Sequence, residues 1–295
     1  MAAVRKKTVK GQTYYYLEHS YREGRKVHKK ELYLGGKIPK NIGEIKAKFL
    51  DDIDRERWYA KMDRIKKNHA KEQGRMPKSV RKKELQTFVT RFTYDTQRIE
   101  GSTLTRRETA DLLERGITPA RKPIADVKEA EAHRDLFYEI LESKKDLTLQ
   151  AIQEWHWKLF EKTKHDIAGK IRRYPVAISG SRFIPPSPVE VLPMLTEFFI
   201  WYNRNKSKLH PVELAAITHL KFVTIHPFGD GNGRISRLVM NFILDRRGYP
   251  MMDIPYEGRD SYYNALERSQ VRKEDRIFLK WFARRYIKEH RRHLG

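Results

Sequence analysis

Twelve consecutive residues, His226-Pro-Phe-Gly-Asp-Gly-Asn-Gly-Arg-Ile-Ser-Arg237, gather side chains that could act together on a phosphate ester. His226 is the member whose ordinary pKa lets it accept a proton near neutrality. Asp230 is a hard oxygen ligand, suited to a Mg2+ shared with phosphate groups. Gly231, Asn232 and Gly233 let the backbone approach an anion closely, and their N–H groups would open a helix whose dipole favours negative charge. Arg234 and Arg237 lie three apart, so on a helix they share a face and can both reach a polyphosphate. Phe228 is expected to turn inward and anchor the loop. A plain glycine-rich turn would need neither the histidine, the aspartate nor the spaced arginines. The Gly-Lys-Ser/Thr ending of a Walker A loop is absent, so this is another kind of phosphate site.

Two helices must hold that loop. Residues 211–225 are apolar at Leu214, Ile217, Leu220 and Phe222, and residues 232–246 at Ile235, Leu238, Val239, Phe242 and Ile243. A long helix is expected from about Asn41, with Ile45, Phe49, Ile53, Met62 and Ile65 on one stripe, broken by Gly74-Arg-Met-Pro77. The next runs from Ser79 to about Arg98, with Leu85, Phe88, Phe92 and Ile99 as core candidates and Gly101 as its stop. Further helices fit residues 105–115, 124–142, 148–163, 259–270 and 274–292. Ser187-Pro-Val-Glu190 starts another, with Ser as cap, Pro at the first position and Glu at the third. Tyr174 to Pro186 is β-like about a Ser179-Gly180 turn, and reads as a flap rather than core. Residues 12–34 read as two strands joined by Glu23-Gly24 and ended by Gly35-Gly36, a small basic β-hairpin or three-stranded module too short to be stable alone. The fold class is mainly α, with two small β insertions.

Charge is unevenly spread. The chain carries 62 Lys+Arg against 38 Asp+Glu, a net of +24. Residues 1–90 hold +14 of it, and residues 91–240 only +5. The absence of cysteine excludes a disulfide scaffold, a cysteine-ligated metal and a thiol nucleophile. No apolar run is long enough to span a bilayer, and the first residues lack the apolar core of a signal peptide, so a cytoplasmic protein without a membrane partner is expected. Tyrosines interleaved with Lys and Arg in residues 1–40 could stack bases and track phosphates, dock an acidic protein, or cover a helix. No helix-turn-helix, RRM or zinc pattern accompanies them, which puts nucleic acid behind the other two. His156, His210 and His219 lack carboxylates at metal-ligand spacing and read as structural, and residues 284–293 read as a solvated helix face.

The twelve-residue segment matches every defined position of the Fic signature, H-x-F-x-D/E-G-N-G-R-x-x-R, and the chain resembles the Fic (Fic/DOC) family over about residues 80–285. Leu209-His-Pro-Val-Glu-Leu-Ala-Ala and Ala168-Gly-Lys-Ile-Arg172 extend the likeness. The resemblance implies a Fic-type helical bundle with a β-hairpin flap, beside the small N-terminal β module. It implies a protein adenylyltransferase that moves AMP from ATP onto a Ser, Thr or Tyr hydroxyl of a target protein and releases pyrophosphate. His226 would then be the base, and Asp230 would hold Mg2+ against the α- and β-phosphates. Gly231, Asn232 and Gly233 would form the anion hole, with Asn232 nearest the α-phosphate. Arg234 would help hold the phosphates and Arg237 would bind the γ-phosphate. Gly180, Ser181, Arg182 and Phe183 would form the flap that pairs with an extended target segment. Tyr262 and Tyr263 fall where relatives line the adenine pocket, although helix packing explains them equally well, and Gln270 stands where a relative has Asn.

Thr96-Gln-Arg-Ile-Glu100-Gly101 resembles the inhibitory pattern S/T-x-x-x-E-G/N of the class with an N-terminal inhibitory helix. Glu100 would pair with Arg237 and occupy the place of the γ-phosphate; in some relatives the same glutamate supports removal of AMP. The organisation expected is a small basic β module at 1–40, a charged connecting helix at 41–78, a helical region with the inhibitory helix at 79–146, and the Fic core with C-terminal helices at 147–295. ATP is the expected substrate and Mg2+ the expected cofactor, with a target protein as partner, self-modification as a further outcome, and room for a homodimer. The alternatives are a Fic variant transferring another nucleotide or a phosphate, and a nucleic-acid-binding regulator with a nucleotide-sensing Fic core.

Overall fold

Two helices, α7 (Pro211–Ile225) and α8 (Asn232–Arg246), are buried along most of their length, and the rest of the larger unit is laid around them. The preceding helices are α1 (Ile42–Arg75), α2 (Lys78–Ile99), α3 (Arg106–Arg115), α4 (Ile124–Glu142), α5 (Leu149–Phe160) and α6 (Pro188–Asn205). Two more, α9 (Arg259–Arg272) and α10 (Asp275–Glu289), close the chain. This is a computed structural model, and it describes residues 2–23 and 26–295. The chain divides into two compact units, residues 1–63 and 64–295, and the division falls inside α1.

In the larger unit, α7 packs against α8, α6 and α10, while α8 also meets α4, α5 and α2. Side-chain chemistry fixes the element ends. Pro211 occupies the first turn of α7, where its missing N–H costs nothing. Ser187 and Glu190 cap α6 reciprocally, and Thr105 and Glu108 do the same for α3. Gly101 ends α2 with φ 99°, a conformation that strongly favours glycine. The expected helix at residues 148–163 is shorter, stopping at Phe160 and continuing as turns.

The smaller unit contains an antiparallel sheet in the order β1 (Ala3–Val9), β2 (Gln12–Glu23), β3 (Lys26–Gly35). Lys10 and Gly11, both with positive φ, form the tight connection from β1 to β2. The expected turn residue Gly24 lies outside the described residues. Leu17, Tyr21 and Leu34 pack on Phe49 and Ile53 of α1, which supplies the apolar cover a three-stranded sheet lacks by itself. The opposite face carries Tyr14, Tyr16 and Tyr33 in ring contact, crossed by Lys7–Glu31 and Lys29–Glu18 ion pairs.

The segment from Tyr174 to Pro186 runs extended around a turn at Ser179 and Gly180, and its two arms form no strand pairing. Pro175, Pro185 and Pro186 lack N–H donors, so a regular ladder between the arms is not available. Among the described residues, no helix is long and apolar enough to cross a membrane.

Candidate active site

His226 caps α7 in the left-handed region, with φ 51° and ψ 58°. Its Nδ1 faces the Val223 carbonyl at 3.2 Å, so that nitrogen carries the proton and Nε2 keeps its lone pair. Burial pushes the imidazole below its ordinary pKa, with the Val223 carbonyl partly opposing, and the ring is therefore neutral at pH 7. Arg172 steadies the same point. Its guanidinium donates to the carbonyls of His226 (2.7 Å), Tyr174 (3.1 Å) and Pro186 (2.6 Å), tying the turn at His226 to both ends of the flap.

The loop between the helices is closed from within. Phe228 is fully buried and stacks on His156 with ring centroids 3.8 Å apart. His156 accepts from the Gly169 N–H and donates to the Asp230 carbonyl, and burial pushes its pKa to about 4. The Asn232 carboxamide accepts from the N–H of Phe228 and donates to its carbonyl, both at 2.9 Å, which fixes the side chain against the loop. Gly231 has φ 77°, and a β-carbon there would collide with the Phe160 ring. The N–H groups of Asn232, Gly233 and Arg234 belong to the first turn of α8, where no helical carbonyl reaches them.

The two arginines have different surroundings. Arg234 is 3% exposed and turns toward Glu129 of α4, with which it forms an ion pair, while also reaching Gln97 at 3.3 Å and Asp230 at 3.0 Å. Arg237, 1% exposed, pairs with Glu100 at the end of α2. It also donates to the Thr96 hydroxyl (3.3 Å), the Thr96 carbonyl (3.4 Å) and the Tyr262 hydroxyl (3.4 Å). Burial alone would weaken the charge on Arg237, but Glu100 outweighs it and holds the guanidinium more firmly protonated than usual. A β-carbon on Gly233 would collide with Oε1 of Glu100, so the Glu100 carboxylate rests on the first turn of α8, where an anion is favoured.

Asp230 stands on the other side of that turn. Its Oδ2 meets Lys164 at 2.6 Å and its Oδ1 meets Arg234 at 3.0 Å. Burial would raise its pKa, yet Arg234 and Lys164 override this and hold the carboxyl well below the usual carboxylate range. Among the described residues, no cluster of three His, Cys, Asp or Glu forms a metal cage. A single ionised carboxylate beside an anion site still suits a divalent ion whose other ligands are phosphate oxygens and water.

Tyr262 is fully buried behind Arg237, bonded to His219 at 2.9 Å. Tyr263 is 43% exposed and donates to the Ile99 carbonyl at 3.0 Å, at the end of α2. Gln270 donates to the Thr224 hydroxyl at 3.2 Å. The flap tip is pinned by Glu267 of α9, which accepts from the Ser181 hydroxyl (3.2 Å) and from the backbone and Nε of Arg182 (2.9 Å each). Gly180 makes the turn with φ 73°, and the Phe183 N–H returns to the Ser181 hydroxyl at 3.1 Å.

Four residues that complete the site were not singled out for a role from sequence: Glu129, Lys164, Arg172 and Glu267. Glu129 did leave a signal, because it falls in register with His133, Leu136 and Ile140 on the buried side of α4. A charged residue in an apolar stripe needs a buried partner. Lys164 and Glu267 look like surface charges in any one-dimensional reading.

Residues 146–244 match the Fic/DOC family. The chain is 37% identical over 179 residues to the protein adenylyltransferase Fic of Drosophila melanogaster, covering 59% of this chain and 36% of that protein. It thus spans about a third of the length of such relatives. Among solved structures it is similar to a Fic domain-containing signaling protein from Bacteroides thetaiotaomicron, with a TM-score of 0.70, 29% identity, and coverage of 78% and 95% of the two chains. Fic-1 from C. elegans superposes with a TM-score of 0.73 at 27% identity, covering 86% of this chain and 76% of that one. The stretch that matches the Fic/DOC family, residues 146–244, contains α7, the loop and α8 as far as Leu244.

Proposed function

We propose that the protein is an adenylyltransferase that moves AMP from ATP onto a hydroxyl of a protein target, restrained by Glu100. The observation that carries this reading is the shared end of α8, where a neutral histidine, an open helix N-terminus and an ionised aspartate converge within one loop. The target Ser, Thr or Tyr hydroxyl gives its proton to Nε2 of His226. Its oxygen forms the new bond to the α-phosphorus as the bond to the β-phosphate oxygen breaks, and pyrophosphate leaves. The main-chain N–H groups of Asn232, Gly233 and Arg234 meet the charge that develops on the phosphate oxygens. A Mg2+ held between Asp230 and the nucleotide would neutralise the leaving pyrophosphate.

Arg237 is the cation available for a γ-phosphate, and Glu100 competes for it. The extended arms of the flap suit β-augmentation of a target segment, with Gly180 to Phe183 at the tip. The Glu100 carboxylate, resting beside the anion site, also supports a second activity in which it positions water to remove AMP.

Intact-mass measurement of the protein incubated with ATP and Mg2+ tests the reading. An AMP adduct that increases in Glu100→Gly and disappears when His226→Ala is added supports it. No adduct on the protein or on proteins of a lysate, in either background, would overturn it. A panel of ATP, UTP, GTP and CTP separates AMP transfer from transfer of another nucleotide.

A further inference from the structure

Lys164 has no place in the reaction just described, yet its amine makes the shortest ion pair to Asp230, at 2.6 Å. Its position is not accidental to a floppy side chain. The Lys164 N–H donates to the Phe160 carbonyl, and its carbonyl accepts from Ile167 and Ala168, which fixes the turn after α5. Its amine lies 5.0 Å from the centroid of the Phe160 ring, the ring on which Gly231 rests. The amine touches a second carboxylate as well, Glu129 at 3.2 Å, and that oxygen also accepts from Thr163 at 3.1 Å. Lys164 is therefore a tethered cation held between two carboxylates, 38% exposed and open to exchange.

Resting on the reading of Asp230 as the metal ligand, we infer that Lys164 fills the divalent cation's place on Asp230 when no nucleotide is bound. Oδ1 of Asp230 is already taken by Arg234 and the Gly231 N–H, so Oδ2 is the oxygen left for a metal, and Lys164 covers it. An incoming divalent ion has to displace the amine, and Glu129 keeps that amine from being stranded. The ion alone gains one carboxylate and loses part of its hydration. The ion carried on a nucleotide diphosphate brings its own oxygen ligands and displaces Lys164 at far smaller loss. Lys164 thus makes metal binding depend on nucleotide, and the pair Asp230–Lys164 keeps the site electrically balanced while it is empty.

The test is Mn2+ binding to the full-length protein, followed by the electron paramagnetic resonance signal of free Mn2+, with and without ADP. Wild type is expected to bind Mn2+ alone weakly and Mn2+ with ADP much more tightly. Lys164→Gln should bind Mn2+ alone about tenfold more tightly, while Mn2+·ADP changes about threefold or less. Lys164→Arg, which keeps the charge, should resemble wild type. Lys164→Gln and wild type with equal affinity for Mn2+ alone, while Asp230→Asn still abolishes Mn2+·ADP binding, would overturn the inference and leave the metal reading standing. Unchanged Mn2+·ADP binding in Asp230→Asn would overturn both. The readout is metal binding without turnover, so it does not depend on activity.

Discussion

Arg234 and Arg237 leave the same stretch of α8 three residues apart, but they end in different kinds of pocket. Arg234 lies among Glu129 of α4, Gln97 of α2, Asp230 of the loop and the face of the Phe160 ring of α5. Arg237 is as deeply buried, but its carboxylate partner Glu100 is 23% exposed and sits at the C-terminal cap of α2. The first pocket joins α4, α2 and the loop into one structure. The second is closed on one side by a side chain that could swing away. Equal burial of the two cations thus hides unequal reversibility, and the difference is set by the partner's location, not by the arginine.

The largest effect should come from breaking the inner pocket. Glu129→Ala leaves the Arg234 charge buried with too few acceptors, and a loss of about 3–5 kcal/mol is expected. In thermal unfolding that corresponds to a fall of roughly 10 °C for a unit of this size. A loss below about 1 kcal/mol would mean the inner pocket is no more structural than the outer one. Glu100→Gly should cost only about 1–2 kcal/mol, because Arg237 keeps Thr96 and Tyr262 and water can enter where Glu100 stood. The same variant should raise AMP transfer about tenfold or more, read with labelled ATP, whereas Glu129→Ala should lower it.

Nucleotide affinity sharpens the contrast further. Calorimetric titration should find ATP and ADP binding with nearly equal affinity in wild type, since Glu100 holds Arg237. In Glu100→Gly, ATP should gain about tenfold over ADP through the freed guanidinium. A wild-type preference for ATP already that large would show that the outer pocket is open without mutation.

The smallest effect is a pH dependence centred on His133, buried beside both pockets and bonded to Thr93 at 2.9 Å. Burial, then Arg237 and Arg234, push its pKa to about 3. An unfolded chain binds that proton near pH 6.5, so stability is complete above pH 6.5 and declines as pH falls toward 3. His133→Gln should flatten this part of the curve. An unchanged slope would mean that other groups dominate it. Activity follows the same sign: the lowered pKa of His226 puts the acid limb of the rate profile below pH 6.5.

The helices α7 and α8 were read from sequence to the residue because their ends carry local instructions, Pro211 at one start and Gly231 at the other. The Ser187 cap and the inward turn of Phe228 were legible for the same reason. The strand Ala3–Val9 was not, because its lysines and arginine mask the alternation that marks a strand. The flap was read as β-like, and its backbone is extended, but proline positions and the demands of Arg172 on the Tyr174 and Pro186 carbonyls leave no ladder. Spacing places both arginines on one face of α8, and the resemblance supplies Glu100 as the partner of Arg237, a pair the structure shows. Nothing in the sequence says that Glu129, on another helix, draws Arg234 to a separate partner. Information of that kind is tertiary.

The burial of α2 along its C-terminal half has a kinetic consequence. Val89, Phe92, Thr93, Thr96 and Gln97 are core residues, and Asp95 holds the Tyr256 N–H at 2.9 Å. That burial ties the C-terminal half of the helix into the unit around it. On the proposed reading, relief of the Glu100 restraint needs only a change of side-chain rotamer, a motion of picoseconds to nanoseconds at exposed side chains, rather than a domain opening. Occupancy, not speed, becomes the controlled quantity, and each 1.4 kcal/mol shift in the rotamer equilibrium changes the open fraction about tenfold. On that reading, any signal that reaches Glu100 would act as a rheostat on a fast equilibrium.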